Sequence, residues 1–231
     1  MRKAAKSAIK KPQRTRFESG AGKVSALFLR PDGAFACYVL AHGAGAGMTH
    51  PFMESIAHDL AARGVATLRY QFPYMEKKSR RPDPPKIAEA CVRAAVAEAA
   101  KLAPGLPLIA GGKSFGGRMT SQAQASEPLP GVRGLAFLGF PLHPTGKPSN
   151  ARGEHLARVR VPMLFLQGTR DKLAEPKLLR PLCKKLGAKL HETADADHSF
   201  HVPVRSGRTD ADVRTEITDV LAAWTRPLTS A

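Results

Sequence analysis

The sequence predicts an α/β fold: a mostly parallel central sheet with helices on both faces and no large cap domain. Three observations predict it. Short, continuous apolar runs recur along the chain, the pattern of strands buried on both faces. Segments with apolar residues at helical spacing lie between several of them, which is the alternation of a parallel sheet with crossover helices. The chain has 231 residues, 43% of them hydrophobic, enough to close one such core.

The elements follow in order. "VSALFL" (24–29) and "AFACYVLAHG" (34–43) read as strands separated by the turn signal "RPDG". A helix starts near Pro51, where proline is tolerated in the first turn, presents Phe52, Ile56 and Leu60 to the core, and ends at Gly64. "VATLRY" (65–70) is a short strand, followed by a proline-rich loop over 72–85. Residues 86–102 carry Ile87, Cys91, Ala95, Ala99 and Leu102 at helical spacing. "LPLIAG" (106–111), "VRGLAFLGF" (132–140) and "VPMLFLQG" (161–168) read as buried strands, and "AKLHET" (188–193) as a weaker last one. Thr209 and Asp212 form a capping-box pattern ahead of a final helix whose apolar stripe is Val213, Ile217, Val220 and Trp224.

Charge and cysteine usage bound the setting. The net charge is +17, and seven of the basic residues lie within positions 1–16, which contain no acid. Residues 1–20 therefore read as a basic, solvated leader and 21–231 as a single domain. A nucleic-acid or anionic-membrane contact is the sharper reading of the leader, but Phe17 is its one aromatic, so it offers no stacking platform. An organelle transit peptide would want more serine. Three scattered cysteines, Cys37, Cys91 and Cys183, suit buried thiols in a reducing, cytoplasmic setting rather than a disulfide framework. No apolar run reaches membrane-spanning length, and the N-terminus lacks the apolar region of a secretory signal.

"IAGGKSFGGRMT" (109–120) carries the chemistry, and it reads in two ways. Gly-Lys-Ser ends a phosphate-binding loop, whereas Gly-x-Ser-x-Gly surrounds the nucleophile of many serine hydrolases. The first needs a glycine at 107, which is Pro107, and a loop where the sequence places a strand end. The second fits each position. A strand turning sharply into a helix exposes Ser114 at the apex, and Gly112 and Gly116 allow close approach two residues before and after it. Gly111 and Gly117 add clearance.

A serine hydroxyl needs a base, and this architecture supplies the order serine, acid, histidine. Asp171 follows a buried strand, and His198 lies between the last strand and the last helix. His198 would take the proton of Ser114, with Asp171 orienting the imidazole. Asp171 could instead cap the next helix. His191 lies inside a predicted strand and His201 precedes "VP", so His198 is better placed. Asp195 and Asp197 are read as loop-shaping residues. A metal site from His191, Asp195, Asp197, His198 and His201 matches no ligand spacing.

Two backbone amides must receive the developing oxyanion. One belongs to Phe115; the other comes from "HGAGAGMTH" (42–50), with Ala44 preferred and Gly45 the alternative or a substrate contact. His42 is read as structural, and His50 as a residue near a helix cap that borders the pocket. Arg118, one turn into the helix after Ser114, is the best-placed cation for an anionic acyl group; Lys113 and Arg80 are read as surface charges, with Arg69 a further candidate. His143 lines the site or stabilises its loop.

With these residues in place the chain resembles an α/β-hydrolase. More narrowly it is similar to small bacterial hydrolase-like proteins distantly akin to dienelactone hydrolases. The shared segments are "LAHGAGAGMTHPFM", "FPYME", "GGKSFGGRM", "GFPLHPTGKP", "LFLQGTRD" and "DADHSF". The resemblance implies a nucleophile at Ser114, an acid at Asp171 and a base at His198, and departs from true dienelactone hydrolases, which use cysteine. Only residues 141–160 separate two strands where many relatives insert a cap, so an open site is expected, with 72–85 as its other wall. The expectation is a serine hydrolase acting on small soluble esters or thioesters through an acyl-Ser114 intermediate, with no cofactor. The alternative is a catalytically silent binding protein of the same fold that offers its basic surface to an acidic partner.

Overall fold

The computed structural model describes residues 11–229. They form an eight-stranded sheet in the order β1-β2-β4-β3-β5-β6-β7-β8. The strands are β1 (Gln13–Glu18), β2 (Lys23–Leu29), β3 (Ala36–Ala41), β4 (Val65–Tyr70), β5 (Leu108–Lys113), β6 (Val132–Leu138), β7 (Met163–Gly168) and β8 (Lys189–Thr193). β1 runs antiparallel to β2 and β2 to β4, and every later pairing is parallel. The helices are α1 (Pro51–Ala61), α2 (Pro73–Glu76), α3 (Pro85–Leu102), α4 (Phe115–Ser126), α5 (Pro176–Leu186) and α6 (Asp210–Thr225).

Both faces of the sheet are covered because successive side chains of a strand point to opposite sides. In β3, Cys37, Val39 and Ala41 join the core beneath α3 and α4, whereas Tyr38 and Leu40 join the core beneath α1 and α6. The capping box of α6 forms as the sequence predicts: Thr209 accepts from the Asp212 amide and Asp212 accepts from the Thr209 amide. All three cysteines are free and buried. Among the described residues no helix is long and apolar enough to cross a membrane.

Four expectations need correction. The leader drawn through residue 20 ends earlier: Gln13–Glu18 pair with Phe28–Lys23 as β1, and Phe17 is buried edge-on against Tyr70. Arg2, Lys3, Lys6 and Lys10 lie outside the described residues. The loop over 72–85 contains α2, which starts on Pro73. The core face of α1 is Met53, Ile56, Ala57 and Leu60, with Phe52 half-buried at the helix start. In α6, Leu221 and Ala222 are buried, while Val220 and Trp224 pack at the margin of the core. Residues 141–160 hold a 3-10 segment, Ala151–Arg158, that lies on α4 and forms no cap.

Candidate active site

The site lies at the carboxyl ends of β3, β5 and β7. Ser114 occupies the junction of β5 and α4 with φ 50° and ψ −115°, a region that non-glycine residues enter at a cost of about 1–3 kcal/mol. Two glycines make the turn possible. A Cβ on Gly112 would stand 2.2 Å from the carbonyl oxygen of Ala41, and one on Gly116 would stand 2.6 Å from that of His42. Gly111 and Gly117 are equally confined, at 1.8 Å from the Ala136 oxygen and 2.8 Å from the Gly112 oxygen. The helix can therefore start directly against β3, which brings the serine beside the loop after β3.

The structure brings Ser114, His198 and Asp171 together. His198 Nε2 is 2.9 Å from Ser114 Oγ, and His198 Nδ1 is 2.7 Å from Asp171 Oδ2. Asp171 is only 2% exposed, so its charge must be satisfied internally. Besides the imidazole, it accepts from Gln167 Nε2 through Oδ2 and from the Leu173 amide at 2.8 Å through Oδ1. It does not cap α5, whose N-cap is Glu175. Gln167 also accepts from the Phe140 amide at 2.8 Å. Sequence reading missed this glutamine; its signal was one amide in an otherwise apolar strand.

The loop that carries His198 is held in unusual backbone conformations. Asp195 has φ 57° and Phe200 has φ 64°. Asp197 Oδ1 accepts from the amides of Ser199 and His201, the loop-shaping role expected of it. The remaining members of the weighed metal cluster are engaged elsewhere: His191 with Glu216 at 2.6 Å, and His201 with Asp210 at 2.9 Å. Among the described residues no group of three or more potential ligands could hold a metal ion.

The loop after β3 is fixed by His42. Its Nε2 accepts from the Phe72 amide at 3.1 Å, which makes Nδ1 the protonated nitrogen, bonded to the Gly43 oxygen at 2.7 Å. Burial lowers the His42 pKa to about 4, against a smaller upward pull from the Gly43 carbonyl, so the ring stays neutral. The two expected donor amides differ in status from Gly45. The Gly45 N–H is bonded to Tyr74 Oη at 2.9 Å, so that amide is already engaged, and Gly45 is not among the residues that line the pocket. The Ala44 amide carries no hydrogen bond among the described residues. That of Phe115 is in the first turn of α4, where no intrahelical acceptor exists.

A pocket of about 370 Å³ opens over these groups, lined by Gly43, Ala44, Ala46, Phe52, Met53 and Leu173 with Lys113, Ser114, His198 and Ser199. His50 both borders it and caps α1 through Nδ1 to the Phe52 amide. Several expectations fail here. Arg118 does not line the pocket; it faces Arg152 and His155, and burial together with Arg152 lowers its pKa. Arg69 donates to the Met48 oxygen at 3.1 Å, and Arg80 is exposed. Residues 72–85 line none of it; α2 buttresses the β3 loop from behind through Tyr74. His143 stabilises its loop, bonding the Pro144 oxygen and the Glu175 amide. Lys113, read as a surface charge, lines the pocket with its ammonium bonded to the His198 oxygen at 2.5 Å.

A second serine–histidine pair lies 2.7 Å apart, Ser121 Oγ and His155 Nε2, between α4 and the 3-10 segment. Its chemistry is different. Ser121 is fully buried and donates to the Arg118 oxygen at 2.8 Å, so the imidazole must donate to the hydroxyl rather than accept from it. The charged groups facing His155 are Arg158 and Arg118, which add to burial, the larger cause, in lowering its pKa to about 4.

Residues 34–226 match the model of the alpha/beta hydrolase domain family. Solved structures share the fold at low identity. A serine hydrolase without a lid from Xanthomonas campestris superposes with a TM-score of 0.72 at 18% identity, over 93% of this chain and 95% of that one. A dienelactone hydrolase from Anabaena variabilis gives 0.71 at 19% identity, over 94% and 98%. The esterase domain of a Rhodothermus marinus protein gives 0.70 at 17% identity, over 94% and 99%.

Proposed function

We propose, from the premise that this chain belongs to the α/β-hydrolase family, that it is a serine hydrolase of small soluble esters or thioesters with Ser114 as nucleophile. The observation that carries the reading is the continuous chain of short contacts from Asp171 through His198 to Ser114 at the floor of an open pocket.

The steps follow from the hydrogen bonds. Asp171 holds Nδ1–H of His198, leaving Nε2 to accept the Ser114 proton. Ser114 Oγ attacks the acyl carbon, and the carbonyl oxygen becomes negative within reach of the Ala44 and Phe115 amides. Collapse breaks the bond to the leaving oxygen or sulfur, which takes the proton from His198. Water then gives a proton to the same nitrogen as it attacks the acyl-Ser114 carbon, and the bond from that carbon to Oγ breaks as His198 returns the proton to Oγ, releasing the acid and restoring the serine. The lining around the serine is mainly apolar, and its lysine, Lys113, is bonded to the His198 oxygen, which favours a neutral acyl group over an anionic one.

The test is labelling by a fluorophosphonate, which reacts only with an activated serine. Wild type and Ser121→Ala should label, and Ser114→Ala should not. Labelling that survives Ser114→Ala, or a folded wild type that never labels, would reject the assignment.

A further inference from the structure

Lys113 touches both halves of the reactive pair, and nothing in the reaction described above uses it. It is the last residue of β5 and the chain neighbour of Ser114. Its stem passes Gly43, whose Cβ position would lie 3.4 Å from Lys113 Cγ. Its Nζ bonds the carbonyl oxygen of His198 and lies 5.5 Å from the centre of the Phe200 ring. The space is shaped for it: a Cβ on Gly139 would come within 2.9 Å of Nζ.

The loop that Lys113 holds needs holding. Phe200, at φ 64°, is a bulky residue in a region that side chains avoid, and it stacks on Phe52 of α1 at 5.8 Å with the rings nearly parallel. The hydrogen bond to the His198 carbonyl and the cation over the Phe200 ring act on the two ends of the same three-residue stretch.

We propose that Lys113 is a positioning residue: its ammonium clamps the base loop to the nucleophile strand and so sets the Ser114–His198 separation. This rests on the reading of Ser114 and His198 as nucleophile and base. The clamp depends on charge, because a charged donor makes a hydrogen bond about twice as strong as a neutral one, and the ring contact needs a cation. The charged groups facing Lys113 are Asp171 from the turn after β7 and Asp197 from the His198 loop, with the His198 imidazole beside them. Burial lowers the lysine pKa to about 8, and the two aspartates hold it from falling further.

The experiment measures fluorophosphonate labelling against pH in wild type, Lys113→Met and Lys113→Arg, alongside the imidazole NMR signals of His198. Wild type should lose labelling rate as pH rises through about 8. Lys113→Met should label about ten- to a hundredfold more slowly at neutral pH, without that decline, since a displacement near 1 Å costs about 100-fold. Lys113→Arg should keep most of the rate and carry the decline to higher pH. An unchanged rate and pH profile in Lys113→Met, or a decline in Lys113→Arg at the wild-type pH, would overturn the proposal. If Lys113→Met does not fold, wild type and Lys113→Arg decide by the same pH criterion. A wild type that never labels rejects the hydrolase reading instead, and the His198 signals then decide alone. A shift in Lys113→Met, or in wild type on crossing pH 8, supports the clamp, and unmoved signals refute it.

Discussion

Gly116→Ala separates positioning from stability at this site. Gly116 is the second residue of α4, and an added Cβ would lie 2.6 Å from the His42 oxygen and 2.7 Å from both the Ala41 carbonyl carbon and its Cβ. None of these is the free end of a flexible side chain. Ordinary contact between such atoms needs about 3.5 Å, so α4 and the β3 loop must separate by roughly 1 Å. Overpacking of this kind costs about 1–3 kcal/mol, offset in part by about 1 kcal/mol from the better helix propensity of alanine. The net loss of stability is therefore about 0–2 kcal/mol, which lowers the urea midpoint but leaves a folded protein to assay. The site cannot absorb the same movement, because α4 carries the Phe115 amide and Ser114, while the β3 loop carries the Ala44 amide. A misplacement near 1 Å is worth about 100-fold in rate. The assay pairs the fluorophosphonate labelling rate with the urea midpoint. A variant that labels at the wild-type rate would refute the claim that the contact between α4 and the β3 loop sets the geometry.

Gln167→Leu removes the donor to Asp171 and strands the buried Phe140 amide, so it should lower the unfolding free energy by about 1–3 kcal/mol and slow Ser114 labelling; unchanged urea unfolding would contradict this. Acid should destabilise the fold through His42, whose pKa falls from 6.5 unfolded to about 4 folded. The neutral ring contributes stability that is full above pH 6.5 and lost as pH falls through 6.5 toward 4, on the order of 3 kcal/mol, with His155 adding in the same direction. Unfolding free energies that stay level across that window would refute the buried neutral pair.

The central strands were legible because burial on both faces leaves a continuous apolar run, and "VATLRY" matches β4 residue for residue. The turn at Ser114 was legible because only glycine fits the contacts at 112 and 116. β1 was not, because an edge strand buries little: in "QRTRFE" Phe17 alone is buried, and the rest has the composition of a solvated tail. α2 was hidden by a proline that marks a loop as readily as a helix start. Arg118 was correctly placed on the helix, but one turn beyond the serine it faces the 151–158 segment instead of the pocket. Lys113 was misjudged for the opposite reason: its partner is a backbone carbonyl from a loop 85 residues away, and no local pattern encodes such a contact.

The outermost strand has a consequence for how molecules meet. Among the described residues no strand pairs with the outer side of β1, and such an edge is a template for adding another strand. Lys11, Arg14 and Arg16 are exposed along this strand, with Arg16 also 3.9 Å from Glu76 of α2. Two such edges approaching one another bring like charges together before any amide finds a carbonyl, so the cations act as gatekeepers against open-ended sheet growth. Neutralising Arg14 and Arg16 would leave the core intact while removing that barrier, and the loss would register in concentrated solution, as self-association, before it registered in the fold.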